Sequence, residues 1–126
     1  MATLTLSLIG LPPSQNSRRH HFARARDDKQ WKEDARLVAL DAINRERPAG
    51  LPWQRVHVRY DFHYQRVTSV DPDNTVGRCK PVLDGLKGLV FPDDSSKYIH
   101  QIGTTVNVRR DQPAGFDVVI DECSCT

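Results

Sequence analysis

The segment at residues 53–64, WQRVHVRYDFHY, constrains the fold of this chain more than any other. From Arg55 onward apolar and polar side chains alternate, which is the period of a strand with one buried face. The apolar face would carry Val56, Val58, Tyr60, Phe62 and Tyr64, and the polar face Arg55, His57, Arg59, Asp61 and His63. The sequence therefore predicts a strand whose apolar side is covered by another layer of the protein.

Weaker patterns predict three further strands and two helices. Residues 3–9 alternate Leu with Thr or Ser and predict a first strand, while residues 98–108 and 115–121 predict a closing pair of strands around a loop. Apolar residues from Trp31 to Ala42 recur at helical spacing, which predicts an amphipathic helix of about four turns that begins at Asp27 or Asp28. A second helix is predicted between Asp73 and Val90, and it either kinks at Pro81 or begins near it.

The resulting order, β-α-β-α-β-β, predicts one α+β domain over residues 1–126, with a mixed sheet and two helices packed on one face. A chain of 126 residues is large enough to bury roughly two-thirds of its unfolded surface without disulfides. Its three cysteines lack zinc-ligand spacing and favour reduced thiols. No stretch approaches the length of an apolar membrane span, and the first residues do not form a signal peptide, so we expect a cytoplasmic protein with no membrane partner.

A basic segment at residues 14–26 shows no periodicity and is predicted to be an exposed loop. The formal net charge of the whole chain is only +2, which does not by itself indicate a nucleic-acid-binding protein. Any electrostatic argument for binding therefore depends on how the positive charge is distributed, as in this segment. A solvated surface segment is the plain alternative to a binding role. Its polar and basic residues, with one from the following helix, are Asn16, Arg18, Arg19, His20, His21, Arg24, Arg26 and Lys29.

Aspartates stand at both ends of the stretch 71–94, DPDNTVGRCKPVLDGLKGLVFPDD. Asp71 and Asp73 are two residues apart in an extended stretch, so their carboxylates point the same way and can share one ion. Asp93 and Asp94 follow the predicted helix. If the fold brings both ends together, a divalent cation relieves their repulsion, and carboxylate oxygens suit Mg²⁺ or Mn²⁺.

A plainer interpretation of these aspartates stays open at this point. Asp-Pro-Asp-Asn is also an ordinary turn and helix-cap sequence, and Pro-Asp-Asp-Ser is an ordinary loop sequence. An EF-hand loop that begins at Asp71 is excluded, because its sixth position is Val76 instead of Gly and its twelfth is Val82 instead of Glu.

Taken together, these motifs resemble those of the RusA-type Holliday-junction resolvases, small metal-dependent endonucleases of bacteria and their phages. The matching residues are Asp71-Pro72-Asp73-Asn74, Lys80-Pro81-Val82-Leu83-Asp84-Gly85-Leu86, Asp93-Asp94, and Pro12-Pro13-Ser14 with Asn16. The order of strands and helices is also similar, so the resemblance covers nearly the whole chain.

The resemblance implies a homodimer that binds a four-way DNA junction and nicks two strands symmetrically, with no small-molecule cofactor beyond Mg²⁺, for which Mn²⁺ can substitute. By motif position it implies that Asp71, Asp73 and Asp94 are catalytic metal ligands and that Lys80 is the catalytic lysine. We assign DNA contacts to Asn16, Arg18, Arg19, Arg24, Arg26, Lys29, Asn74 and Arg78. Contacts of basic residues with phosphate make binding strongly salt-dependent.

The position of the lysine departs from the family pattern. The family places it three residues after the Asn, but Gly77 holds that position here and Lys80 lies three residues further on. In a regular helix this is nearly one turn, so Lys80 stays on much the same face, about 4.5 Å along the axis. Arg78 is therefore a rival for the cationic role.

Two other functions remain as alternatives. One is a nuclease that cuts other branched DNA, such as flaps or forks, on the same scaffold. The other is a catalytically silent junction-binding or phage-accessory protein in which the acidic residues are structural.

Overall fold

Four strands and two helices make up the described part of the chain. The structure, a computed structural model, describes residues 2–10, 21–65 and 77–123. The elements are β1 (Thr3–Ile9), α1 (His21–Glu46), β2 (Val56–Tyr64), α2 (Lys80–Leu86), β3 (Ile99–Val108) and β4 (Gly115–Glu122). The predicted α+β class and the element order are confirmed.

The strands form one mixed sheet in the order β1-β4-β2-β3. β4 pairs antiparallel with both β1 and β2, whereas β2 and β3 run parallel. The last two strands follow each other in sequence, but β2 lies between them in the sheet. β3 is therefore an edge strand instead of half of a closing hairpin.

One face of the sheet carries the core. Leu6 of β1 pairs with Val118 of β4, and Val118 also pairs with Tyr60 of β2, so the three buried side chains lie in one row. α1 packs on this face, and α2 packs against α1 with Val82, Leu83 and Leu86 in the same buried core. The Trp31 ring of α1 lies 6.0 Å from the Phe116 ring of β4. Further along α1, fully buried Ala35, Ala39 and Ala42 allow close approach.

The first helix is longer than the sequence predicted. α1 begins at His21, not at Asp27 or Asp28, and its 26 residues make about seven turns instead of four. Arg24 and Arg26 therefore lie in a helix and not in the predicted basic loop. Alternating Ala and Arg at positions 23–26 are strong helix formers, which explains why the helix begins before the two aspartates.

The second helix is short and adopts one of the two predicted alternatives. α2 begins at Lys80, so Pro81 lies in its first turn, where a backbone N–H has no helical partner. The helix ends at Leu86, and buried Val90 lies beyond it in the following turns.

The strand β2 is also shorter than the predicted segment, residues 53–64. It begins at Val56. Trp53 lies before it, and its Nε1 donates a hydrogen bond to the Ala49 carbonyl at 3.0 Å.

Among the helices that the structure describes, none is both long and apolar enough to cross a lipid bilayer.

Candidate functional site

The first residue of α2 and the loop that follows this helix meet at one point. Lys80 Nζ lies 3.7 Å from Asp94 Oδ2, although the whole helix and a turn separate the two residues in sequence. The Lys80 side chain is 68% exposed and the Asp94 side chain only 20%. The fold therefore brings together an exposed ammonium group and a largely enclosed carboxylate that both belong to the predicted site.

A second lysine approaches the same carboxylate from the other side. Lys87 Nζ lies 3.3 Å from Asp94 Oδ1, 3.2 Å from Asp84 Oδ1 and 3.6 Å from Asp93 Oδ1. Asp93 Oδ1 also accepts a hydrogen bond of 2.9 Å from the backbone N–H of Asp94. We call Asp84, Asp93 and Asp94 the acidic cluster, and Lys87 is the ammonium that they share.

The ionisation of Asp94 reflects two opposing effects. Partial burial raises the pKa of Asp94, but the hydrogen bond and charge of Lys87, together with the charge of Lys80, outweigh burial and hold this pKa below its usual value. The same contacts raise the pKa of Lys87, with Asp84 as the largest cause and Asp94 next. Both groups are therefore charged near neutral pH.

A groove of about 300 Å³ runs between α1 and α2 beside this point. Its lining consists of Asp28, Lys29, Lys32, Lys80, Pro81 and Asp84. Lys29 and Lys32 are three residues apart on α1, so their side chains lie on the same side of the helix. Lys80 belongs both to the groove and to the ion pair with Asp94, so the groove opens onto the candidate site.

The predicted DNA-contacting residues fall into three groups. Lys29 lines the groove, while Arg26 is exposed on α1 and Arg24 belongs to the same helix. Arg78 lies before α2; its Nε is buried and has no hydrogen-bond partner among the described residues. Outside the described residues lie Asn16, Arg18, Arg19 and Asn74, and so do the predicted metal ligands Asp71 and Asp73.

The described residues fit a magnesium site as one part of its ligand set. Asp94 offers an ionised carboxylate, which is the oxygen donor that Mg²⁺ favours. Within residues 2–10, 21–65 and 77–123, no three His, Cys, Asp or Glu side chains are arranged to hold a metal ion. The predicted site therefore requires Asp71 and Asp73 in addition to Asp94.

Two residues of this region were not predicted from the sequence. Lys87 follows Asp84 at a spacing of three, and Lys32 follows Lys29 at the same spacing; both spacings place side chains together on a helix. This signal is too common to single out either residue. Their importance depends on the contacts of Lys87 with Asp93 and Asp94 and on the position of α2 beside Lys32.

No protein-family model matches this sequence, and a search of curated proteins found no significant match.

Proposed function

We propose that this protein is a Mg²⁺-dependent, structure-selective endodeoxyribonuclease that resolves four-way DNA junctions by paired nicking as a homodimer, in DNA recombination and repair. The observation that carries the proposal is the 3.7 Å contact of Lys80 Nζ with Asp94 Oδ2. These residues belong to separate parts of the motif that resembles the RusA-type resolvases. Their contact supports the interpretation of that motif as one site.

The proposed metal ligands are Asp71, Asp73 and Asp94. When bound there, Mg²⁺ would lower the pKa of a bound water and neutralise charge on the phosphodiester. Asp94 would hold the cation through a carboxylate that is already ionised. Lys80, whose side chain is largely exposed, would turn from Asp94 to the phosphate and stabilise the charge that develops there.

The geometry favours Lys80 over Arg78 as the cation of this site. Lys80 reaches the Asp94 carboxylate directly, and its exposed side chain can move. Arg78 has a buried Nε, and its charge lowers the pKa of the neighbouring Cys79 thiol. A guanidinium with a buried Nε has less freedom than the exposed Lys80 side chain to follow a phosphate during cleavage.

The groove between α1 and α2 supports binding of a phosphodiester backbone. Lys29 and Lys32 line it on one side and Lys80 on the other, so a strand that lies in the groove would pass over the ion pair of Lys80. Lysine contacts to phosphate carry no base information and recognise backbone geometry. This is the kind of recognition that a structure-selective enzyme needs.

Homodimerisation follows from the symmetry of the proposed substrate. A four-way junction has near two-fold symmetry and needs two coordinated cuts. A dimer with C2 symmetry presents two identical sites related by the same rotation.

The proposal is tested with a labelled four-way junction and a linear duplex of the same arm sequence, each incubated with Mg²⁺. We expect paired nicks in the junction only. Asp94→Asn should lower the cleavage rate by at least about 100-fold because it removes a metal ligand. Junction binding should persist, since the substitution also removes a negative charge that faces phosphate. Asp111→Asn is the matched control, because Asp111 is exposed in the loop between β3 and β4.

Each alternative function has its own outcome in this experiment. Equal cutting of the linear duplex would refute junction selectivity, and preferential cutting of flaps or forks would indicate a different branched-DNA nuclease. Junction binding without nicking in either Mg²⁺ or Mn²⁺, unchanged by Asp94→Asn, would identify a silent binding protein.

A further inference from the structure

One face of α1 carries three basic side chains beside α2. Lys29, Lys32 and Arg36 are exposed, and they follow one another at spacings of three and four residues, which place side chains on the same face of a helix. Lys29 and Lys32 line the groove between α1 and α2. Arg36 lies about one turn beyond Lys32. We call these three residues the basic stripe.

The packing of the two helices places Arg36 at the far end of the groove. Lys80, the first residue of α2, lines the groove together with Lys29 and Lys32. The carbonyl of Lys87, which follows the last residue of α2, accepts a hydrogen bond from Arg36 Nη1 at 3.5 Å. The two helices therefore run side by side in the same direction, and the basic stripe follows α2 from its start to its end.

The guanidinium group of Arg36 keeps most of its capacity to donate hydrogen bonds. An arginine has five N–H donors, and the bond to the Lys87 carbonyl uses one of them. Among the described residues, no carboxylate forms an ion pair with Arg36. The remaining donors suit a phosphate group, which a guanidinium can bind through two parallel hydrogen bonds.

The carboxylates of the groove do not balance the basic stripe. Two of them line the groove, and Asp84 is already paired with Lys87 at 3.2 Å, which leaves Asp28. Glu33 is exposed on α1 but does not line the groove. The three positive charges of the stripe therefore outweigh the charge of Asp28, and this side of α1 attracts a polyanion.

The length of the basic stripe corresponds to a few nucleotides of one DNA strand. Arg36 follows Lys29 by seven residues, which is about 10 Å along the helix axis. One strand of DNA advances about 3.4 Å along its axis for each phosphate, so the stripe spans about three nucleotides. Arg36 lies about 6 Å beyond Lys32, which is about two nucleotides from a phosphate held between Lys32 and Lys80.

We propose that Arg36 contacts the DNA backbone: the basic stripe binds successive phosphates of one strand, and Arg36 holds this strand about two nucleotides from the phosphate at Lys80. The inference rests on the proposed function, which supplies DNA as the ligand and makes the phosphate at Lys80 the cleaved one. It adds a direction, because the strand follows the groove along α1 and does not cross it. Contacts with successive phosphates recognise the path of the backbone and not the bases.

The first test measures how junction binding depends on salt, in EDTA so that no strand is cut. Arg36→Gln should weaken binding about 5- to 10-fold at 0.1 M NaCl, because one phosphate contact is lost, and should reduce the slope of log K against log salt by about 0.9. Arg36→Lys keeps the positive charge and should keep the slope. The Tm of each variant shows whether the fold is intact.

Arg45→Gln is the matched control. Arg45 is an exposed arginine of the same helix, and it pairs with Asp41 at 3.3 Å. It follows Arg36 by nine residues, or about two and a half turns, so it lies on the opposite side of α1. We expect this control to keep the wild-type slope. The inference is overturned by an unchanged slope in Arg36→Gln, by an equal reduction in Arg45→Gln, or by an equal reduction in Arg36→Lys.

The second test locates the contact along the strand. Single phosphates near the cleaved bond of the junction are replaced one at a time by neutral methylphosphonates, and the affinities of the wild type and of Arg36→Gln are compared. The wild type should lose affinity at a position about two nucleotides to one side of the cleaved phosphate. Arg36→Gln should lose no further affinity at that position, because the two changes remove the same contact. Equal losses in both proteins at every position would exclude the contact.

The outcomes separate this inference from the proposed function, since the salt dependence is measured without cleavage. If the wild type nicks no junction but Arg36→Gln alone reduces the slope, the proposed function fails and the contact of Arg36 with DNA stands. If junctions are nicked in pairs and Arg36→Gln has the wild-type slope, the proposed function stands and the inference fails.

Discussion

Cys79, the residue immediately before α2, has a structural role in the core and no part in the proposed chemistry. Its side chain is fully buried, and its carbonyl accepts hydrogen bonds from the backbone N–H groups of Val82 and Leu83 at 3.0 and 3.2 Å. Burial raises the pKa of the Cys79 thiol from 9.0 to about 12, against a smaller lowering by the charge of Arg78. The thiol therefore behaves as a small apolar core group next to the candidate site.

We expect Cys79 to resist alkylation in the native protein. At pH 8 a thiol with a pKa of about 12 has only about one part in 10⁴ in the reactive thiolate form. Iodoacetamide labelling followed by peptide mass analysis should find Cys79 unmodified in buffer and modified in urea. Because folding raises this pKa, its contribution to stability is complete below about pH 9 and is lost as the pH rises toward 12. Equal labelling of Cys79 in buffer and in urea would contradict the prediction.

At the scale of elements, the site depends on how closely α2 approaches α1. A Cβ on Gly85 would collide with the Lys32 carbonyl oxygen and would lie 3.3 Å from the Ala35 Cβ. Gly85 therefore allows the two helices to pack with backbone against backbone. Lys32 and Lys80 lie on opposite sides of the resulting groove, so the same contact sets its width.

Gly85→Ala should lower the free energy of unfolding by about 1–3 kcal/mol, since the added methyl group forces the helices apart. Gly77→Ala is the matched control, because a Cβ there meets nothing within 4 Å. We expect the control to be neutral or to stabilise the fold by up to about 1 kcal/mol. Urea unfolding of both variants measures the difference. Similar midpoints for the two variants would argue against a close contact at Gly85.

At the scale of the whole molecule, β3 is one of the two edge strands of the sheet and a candidate interface for the proposed dimer. It pairs with β2 on one side, and no described strand pairs with its other side. Ile102, Val106 and Val108 are 42–44% exposed, and their partners in β2 point toward the helix-covered face. The strand sequence IHQIGTTVNV contains no Lys, Arg, Asp, Glu or Pro, so it lacks the usual devices that prevent edge pairing. An antiparallel β3 pair would satisfy C2 symmetry.

Val106→Lys should convert the dimer of the proposed function into a monomer, because it places a charge in the apolar row of β3. Sedimentation equilibrium measures the mass of each species. Asn107→Lys is the control, since the adjacent side chain is exposed and points to the opposite face of the same strand. A wild type that is monomeric at all concentrations, or a Val106→Lys variant that remains dimeric, would exclude β3 as the interface.

The sequence alone determined the elements whose signals are local. Alternation in β1 and β2 and helical spacing in α1 follow from the backbone period of each element, and so the order and class of the fold could be predicted. The predicted start of α1 was wrong, because Asp27 and Asp28 are residues that commonly cap a helix but here lie within it. Asp94 and Lys80 were identified as site residues through a motif. No local signal in the sequence predicts the contact between them.

The tertiary structure decided which distant residues meet. It placed β2 between β3 and β4, brought Asp94 to Lys80, and set Lys87 among three carboxylates. Except for the pair of Lys87 with Asp84, which are three residues apart, each of these contacts joins segments whose separation along the chain leaves no periodic signature. They depend on how the helices pack on the sheet, which is a property of the whole core and not of any one segment.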